Sequence, residues 1–133
     1  MTELKVIRIP LVDKHPECYS HLKVRLYYHL GGYNYGTHEN EPRGYYLSCF
    51  PVHYASKNGY TTESYSAFSG IKVLVSETTR NTKKQVEKVI GECSLDKLND
   101  KDSWFFKICD YVCRKHNLYI TECSLKGGEF NVL

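Results

Sequence analysis

Leu22-Lys23-Val24-Arg25-Leu26-Tyr27-Tyr28-His29-Leu30 is the stretch that decides the fold. Leu22, Val24, Leu26, Tyr28 and Leu30 alternate with Lys23, Arg25, Tyr27 and His29. That period of two predicts a strand with one buried and one wet face. Upstream, Leu4 to Leu11 is rich in β-branched residues and reads as its partner, with Pro10 marking an edge or a strand end. The polar run Asp13-Lys14-His15-Pro16-Glu17 turns the chain between them.

Downstream the period disappears. Gly31 to Gly44 reads as a long loop, punctuated by Gly, Asn and Pro. Tyr45 to Val52 resumes extended structure, and Ser56-Lys57-Asn58-Gly59 connects it to Tyr60–Phe68. Asn-Gly favours positive φ at both turn positions, so this connection predicts a hairpin. Ser69-Gly70 breaks the pattern, and Ile71–Val75 is a further strand candidate, too short to separate from buried helix by period.

The second half changes period. Thr82-Lys83-Lys84-Gln85 matches a capping box, and Val86, Val89 and Ile90 follow at helical spacing, with Gly91 as terminator. A second helix is predicted from about Asp102-Ser103 to His116, with Phe105, Ile108, Cys109 and Val112 on one face and Asn117 as its left-handed cap. Leu118 to Ser124 alternates as a last strand, and Lys126-Gly127-Gly128 opens a loose tail. The order implies one α+β domain over residues 1–133: an antiparallel sheet of about five to six strands, with two helices of the C-terminal half on one face.

At 133 residues the chain can bury about two-thirds of its unfolded surface. A hydrophobic share of 41% and a charged share of 25% exclude wholesale disorder. The net charge of +3 permits an acidic partner without demanding nucleic acid. Met1 to Ile9 lacks the basic region and apolar core of a signal peptide, and no apolar run is long enough for a membrane span. The six cysteines therefore read as free thiols in a reducing cytoplasm.

Nine of the twelve tyrosines fall between Tyr27 and Tyr65, threaded with glycines. Tyrosine offers a large ring, a polar tip and few torsions to freeze, which is the composition of a contact surface. Tyr33, Asn34, Tyr35, Arg43, Tyr45 and Tyr46 are the candidate partner-binding patch. The glycines Gly31, Gly32 and Gly36 follow a strand, yet a phosphate cradle normally opens onto a helix and often carries a lysine. A recognition loop fits better.

Other constellations are weaker. Cys109, Cys113 and His116 share a helix face, but a zinc site needs about four ligands, and Cys93 or Cys123 would have to supply the fourth. Core packing is the favoured reading, with no metal and no cofactor. His15, His21, His29, His38 and His53 are scattered. Ser48, His53 and Glu63 can be imagined as a catalytic set, although nothing resembling a nucleophile elbow surrounds Ser48. No catalytic residue is assigned. Arg80, Lys83, Lys84 and Lys88, with Lys72 as an extension, form a basic helix face that could hold a nucleic-acid backbone. A solvated face is the simpler alternative.

The run Gly32-Tyr33-Asn34-Tyr35, then Glu41-Pro42-Arg43-Gly44-Tyr45-Tyr46, Ala67-Phe68-Ser69-Gly70-Ile71-Lys72 and Lys83-Lys84, resembles a small family of proteins associated with plasmids, conjugative elements and phages of low-GC Gram-positive bacteria. The resemblance covers roughly residues 20 to 90 and brings no active site, so it transfers no functional residue. It implies an accessory protein of a mobile element. Small proteins in that setting often inhibit host defence by binding, anti-CRISPR proteins among them, and the partner would then be a defence protein or its signal molecule. Acidic mimics of DNA are a familiar solution there, and a chain at +3 departs from that pattern.

Overall fold

The computed structural model describes residues 2–13, 19–57, 60–64, 69–116 and 118–120. It is an α+β domain. Strand β1 (Thr2–Asp13) pairs antiparallel with β2 (His21–His29), and β2 with β5 (Gly44–Lys57). The short β3 (Gly32–Asn34) and β4 (Glu39–Glu41) form a separate two-stranded hairpin. The first part of β5 also pairs with β7 (Ile71–Glu77), and its last part with β6 (Tyr60–Ser64). The chain closes with β8 (Leu118–Ile120), which pairs with the end of β1. All these pairings are antiparallel.

Register follows from the alternation. Val24 stands between Ile7 and Cys49, and Leu22 between Ile9 and Pro51, so apolar side chains line up across three strands on one face. Leu22, Val24, Leu26 and Tyr28 are all buried there, each alternating with a more polar neighbour on the other face. Pro10 sits just before the segment of β1 that meets β8, where a missing N–H costs no ladder bond.

The helices cover this face. Helix α1 (Lys83–Glu92) starts with the predicted capping box: Gln85 N donates to Thr82 Oγ1, and Thr82 N to Gln85 Oε1. Gly91 does not end it. The helix runs to Glu92, and the Cys93 amide bonds back to Val89 and Ile90. A 3-10 turn, Leu95–Asn99, was not legible as an element and packs Leu95 and Leu98 inward. Helix α2 (Trp104–His116) buries Phe105, Ile108, Cys109, Val112 and Cys113. These residues join Ile7, Ile9, Leu47 and Cys49 of the sheet in one core. Each large side chain so buried contributes about 1.5–3 kcal/mol.

One contact ties sheet to helix. A register shift between Glu3 and Lys5 turns Lys5 toward the helix side, and its ammonium donates to the carbonyls of Ile90 and Cys93. A cation there satisfies carbonyls the helix leaves open and complements its dipole. The predicted turn at residues 14–17, the Asn58-Gly59 turn itself, residues 65–68, the Asn117 cap and the tail from 121 lie outside the described residues. The Lys57–Tyr60 pairing still places β5 and β6 as a hairpin.

Candidate functional site

The segment read as a loop is an ordered hairpin with its own bracing. Asn34 Oδ1 accepts from the amides of Gly36 and Thr37 at 2.9 and 3.3 Å, closing the turn, while its Nδ2 donates to Glu41 Oε1 at 2.7 Å. Lys72 of β7 donates to both oxygens of Glu41, at 2.8 and 3.0 Å. Glu41 therefore clamps the hairpin to the main sheet. The bonds from Lys72 and then Asn34 hold its carboxyl below the usual carboxylate range. Gly31 N donates to His29 Nδ1 at 2.8 Å, which leaves the proton of a neutral ring on Nε2, 3.9 Å from Glu41.

This bracing leaves the tip open. Tyr35 is 81% exposed and Tyr33 47%, and their rings meet edge to face with centroids 4.9 Å apart. The Tyr33 hydroxyl lies 3.4 Å from His38 Nδ1, and His38 takes the left-handed conformation at φ 58°. Leu30 is exposed at the base of the hairpin, and Arg43 donates from Nε to the Leu30 carbonyl while remaining exposed.

Of the six residues expected to form one patch, the structure brings Tyr33, Tyr35 and Arg43 to this surface. Asn34 belongs to the bracing. Tyr45 and Tyr46 must be corrected: they are 1% and 4% exposed and lie on opposite faces of β5. Tyr45 enters the core, where its hydroxyl donates to Asn81 Oδ1 at 2.7 Å. Tyr46 stacks on Tyr27 beneath the hairpin and donates to the Pro42 carbonyl, with the Lys72 ammonium 5.4 Å from its ring centre. Burial, with Glu41 nearby, raises the phenol pKa of both Tyr46 and Tyr27, the latter to about 12. Leu30 escaped the sequence reading because it continues an alternation that the strand itself does not.

Arg80, Lys83, Lys84 and Lys88 are all exposed, and among the described residues none of them forms an ion pair. Lys72 does not extend that face. It sits across the sheet from the helices, engaged by Glu41.

The imagined catalytic set is not assembled. Ser48 pairs with Arg25 and Lys72 on the outer face, five positions and hence one pleat face away from His53. His53 stacks on Tyr19, while Glu63 holds Arg8 and Lys23 and lies 3.6 Å from His21. Burial tends to raise the Glu63 pKa, but the bonds from Lys23 and Arg8 outweigh it and the net shift is downward. His21 is lowered, mainly by burial and against the pull of Glu63.

The helix cysteines face the core with Cys49 and Cys93. Burial lifts Cys93 and Cys113 to about 12, and the bond to Cys49 together with burial lifts Cys109 well above its ordinary value. His116 instead bonds the Ser69 carbonyl. Among the described residues no three His, Cys, Asp or Glu side chains converge on a metal position, and no helix is long and apolar enough to cross a membrane. No known protein family, curated protein or solved structure matches the chain.

Proposed function

We propose that this chain is a non-enzymatic binding protein that recognises a protein partner through the β3–β4 hairpin. One observation carries the reading. Of the four large hydrophobic side chains exposed among the described residues, Leu30, Tyr33 and Tyr35 fall within six consecutive positions. The hairpin holding them is fixed to the sheet, so little ordering cost remains on binding. Tyrosine and arginine are the side chains that most often dominate interfaces. The resemblance to mobile-element proteins supplies the setting: a phage or plasmid product in the host cytoplasm, acting on a defence protein or sequestering its signal.

Capture of partners from a bacterial lysate, with nuclease treatment, tests this when wild type and Tyr33→Ala/Tyr35→Ala are compared side by side. A nuclease-resistant protein retained only by wild type supports the reading. Equal capture by both removes the hairpin from it. The exposed cations of α1, which form no ion pair among the described residues, favour a second reading, a nucleic-acid-binding accessory protein. A nuclease-sensitive catch lost on neutralising Lys83, Lys84 and Lys88 would select that one.

A further inference from the structure

We propose that the outer edge of β7 is a self-association surface, where a second copy of this chain adds its own β7 antiparallel about a two-fold axis. The inference goes beyond the hairpin reading and does not depend on it. β7 pairs with the first part of β5, and among the described residues no strand pairs with its other edge. The main-chain N–H and C=O groups along such an edge are a template for another strand.

The two edges of the sheet are built differently. β1 carries the irregularity between Glu3 and Lys5, turns the Lys5 ammonium to the helix carbonyls, includes Pro10, and is joined at its end by β8. Irregularities, inward cations and prolines keep an edge strand from pairing. Its core residues Ile7 and Ile9 are buried. β7 reads Ile71-Lys72-Val73-Leu74-Val75 without proline, and its register is regular from Ile71 to Leu74. Ile71, Val73 and Val75 pack on the core yet stay only partly buried, while Leu47 and Cys49 beside them on β5 are fully buried. An added strand would take this apolar surface out of water.

The residue pattern of the edge points to a second copy as the occupant. A two-fold axis normal to the sheet keeps helix face beside helix face, so an isologous contact needs an edge that matches itself. With the axis at Val73, Val73 meets the partner's Val73, and Ile71 meets the partner's Val75. Branched aliphatic side chains then stand opposite one another on the helix face. On the outer face Lys72 lies beside the partner's Leu74, its charge held by Glu41 of its own chain. An axis at Lys72 would oppose two like charges. An axis at Leu74 would oppose Lys72 to the partner's Ser76, yet Ser76 pairs with core-facing Tyr45 and Lys72 with outward Ser48, so the two lie on different faces. Only the Val73 register fits.

Sedimentation equilibrium of the full chain, from micromolar to millimolar concentration, tests this. The mass should rise from one chain toward two. Leu74→Lys, set against the partner's Lys72, should weaken association at least tenfold with melting of the dilute protein unchanged. Leu74→Glu at the same position should associate at least tenfold more tightly than Leu74→Lys, and Tyr33→Ala/Tyr35→Ala like wild type. Should Leu74→Lys fold poorly, Val73→Cys provides the second test: oxidation with copper phenanthroline should join position 73 to itself between two chains. The proposal is overturned if wild type stays a single chain at millimolar concentration, if Leu74→Lys associates like wild type, if Leu74→Glu associates no more tightly than Leu74→Lys, if the tyrosine variant dissociates, or if position 73 does not cross-link.

Discussion

Tyr45 and Tyr46 are neighbours in sequence that point to opposite faces of β5, and both are buried where Tyr33 and Tyr35, earlier in the chain, are exposed. Truncating Tyr45, packed among Tyr28 and the helix core, should cost about 3–5 kcal/mol in urea unfolding. Tyr33→Ala and Tyr35→Ala should each shift stability by no more than about 1 kcal/mol, since the rings are exposed. Acid should act through named groups. His21 has a folded pKa below its ordinary 6.5, so the unfolded chain takes up its proton first, and stability falls as pH drops below 6.5. Glu41 is depressed from 4.5, so its contribution is present above that value and is lost as pH falls through the folded pKa. Glu41→Gln should therefore be less stable than wild type near neutrality, with the gap closing below pH 4.5. A gap independent of pH would contradict the clamp.

At the level of elements, Gly31 joins β2 to the hairpin with φ +83°, and a Cβ there would lie 2.9 Å from the Glu41 carbonyl and 3.0 Å from the Arg43 amide. Gly31→Ala should cost about 1–3 kcal/mol, seen as faster hydrogen exchange in residues 31–41 while the core exchanges as before. Lys83 and Lys84 stand in the first turn of α1, where positive charge opposes the dipole, so neutralising them should leave melting unchanged or slightly raised. The long strands and both helices were legible in the sequence because their periods run over many residues, and the capping box because its chemistry is local. The hairpin was not, since three-residue strands show no period and its bracing comes from Lys72, 31 positions from Glu41. The end of α1 was misread for the same reason. Gly91 is a good local terminator, whereas the structure ends the helix at Cys93 and caps it with Lys5, 88 positions away. Composition marked out the tyrosine-rich segment, but alternation alone could not tell that Tyr46 is buried while Tyr33 and Tyr35 are exposed.

Over the whole molecule, the two faces of the sheet are covered differently. One face supports the helices and the thiol-lined core, and the other carries the clamped hairpin. Cys49, Cys93, Cys109 and Cys113 are buried, with Cys93 and Cys113 raised to about 12, so these four should resist a thiol reagent in the native state and react on unfolding. In denaturant the count should reach six with or without prior reduction. A lower count without reduction would place the chain in an oxidising compartment. In the proposed function the exposed hairpin side chains serve recognition and contribute little to stability. Melting and partner affinity, measured together for Tyr33→Ala, Tyr35→Ala and Arg43→Ala, separate recognition from a structural role. The expected result is near-native melting with binding weakened by about 2 kcal/mol or more at the anchoring positions. Unfolding of all three variants, with affinity per folded molecule unchanged, would contradict it.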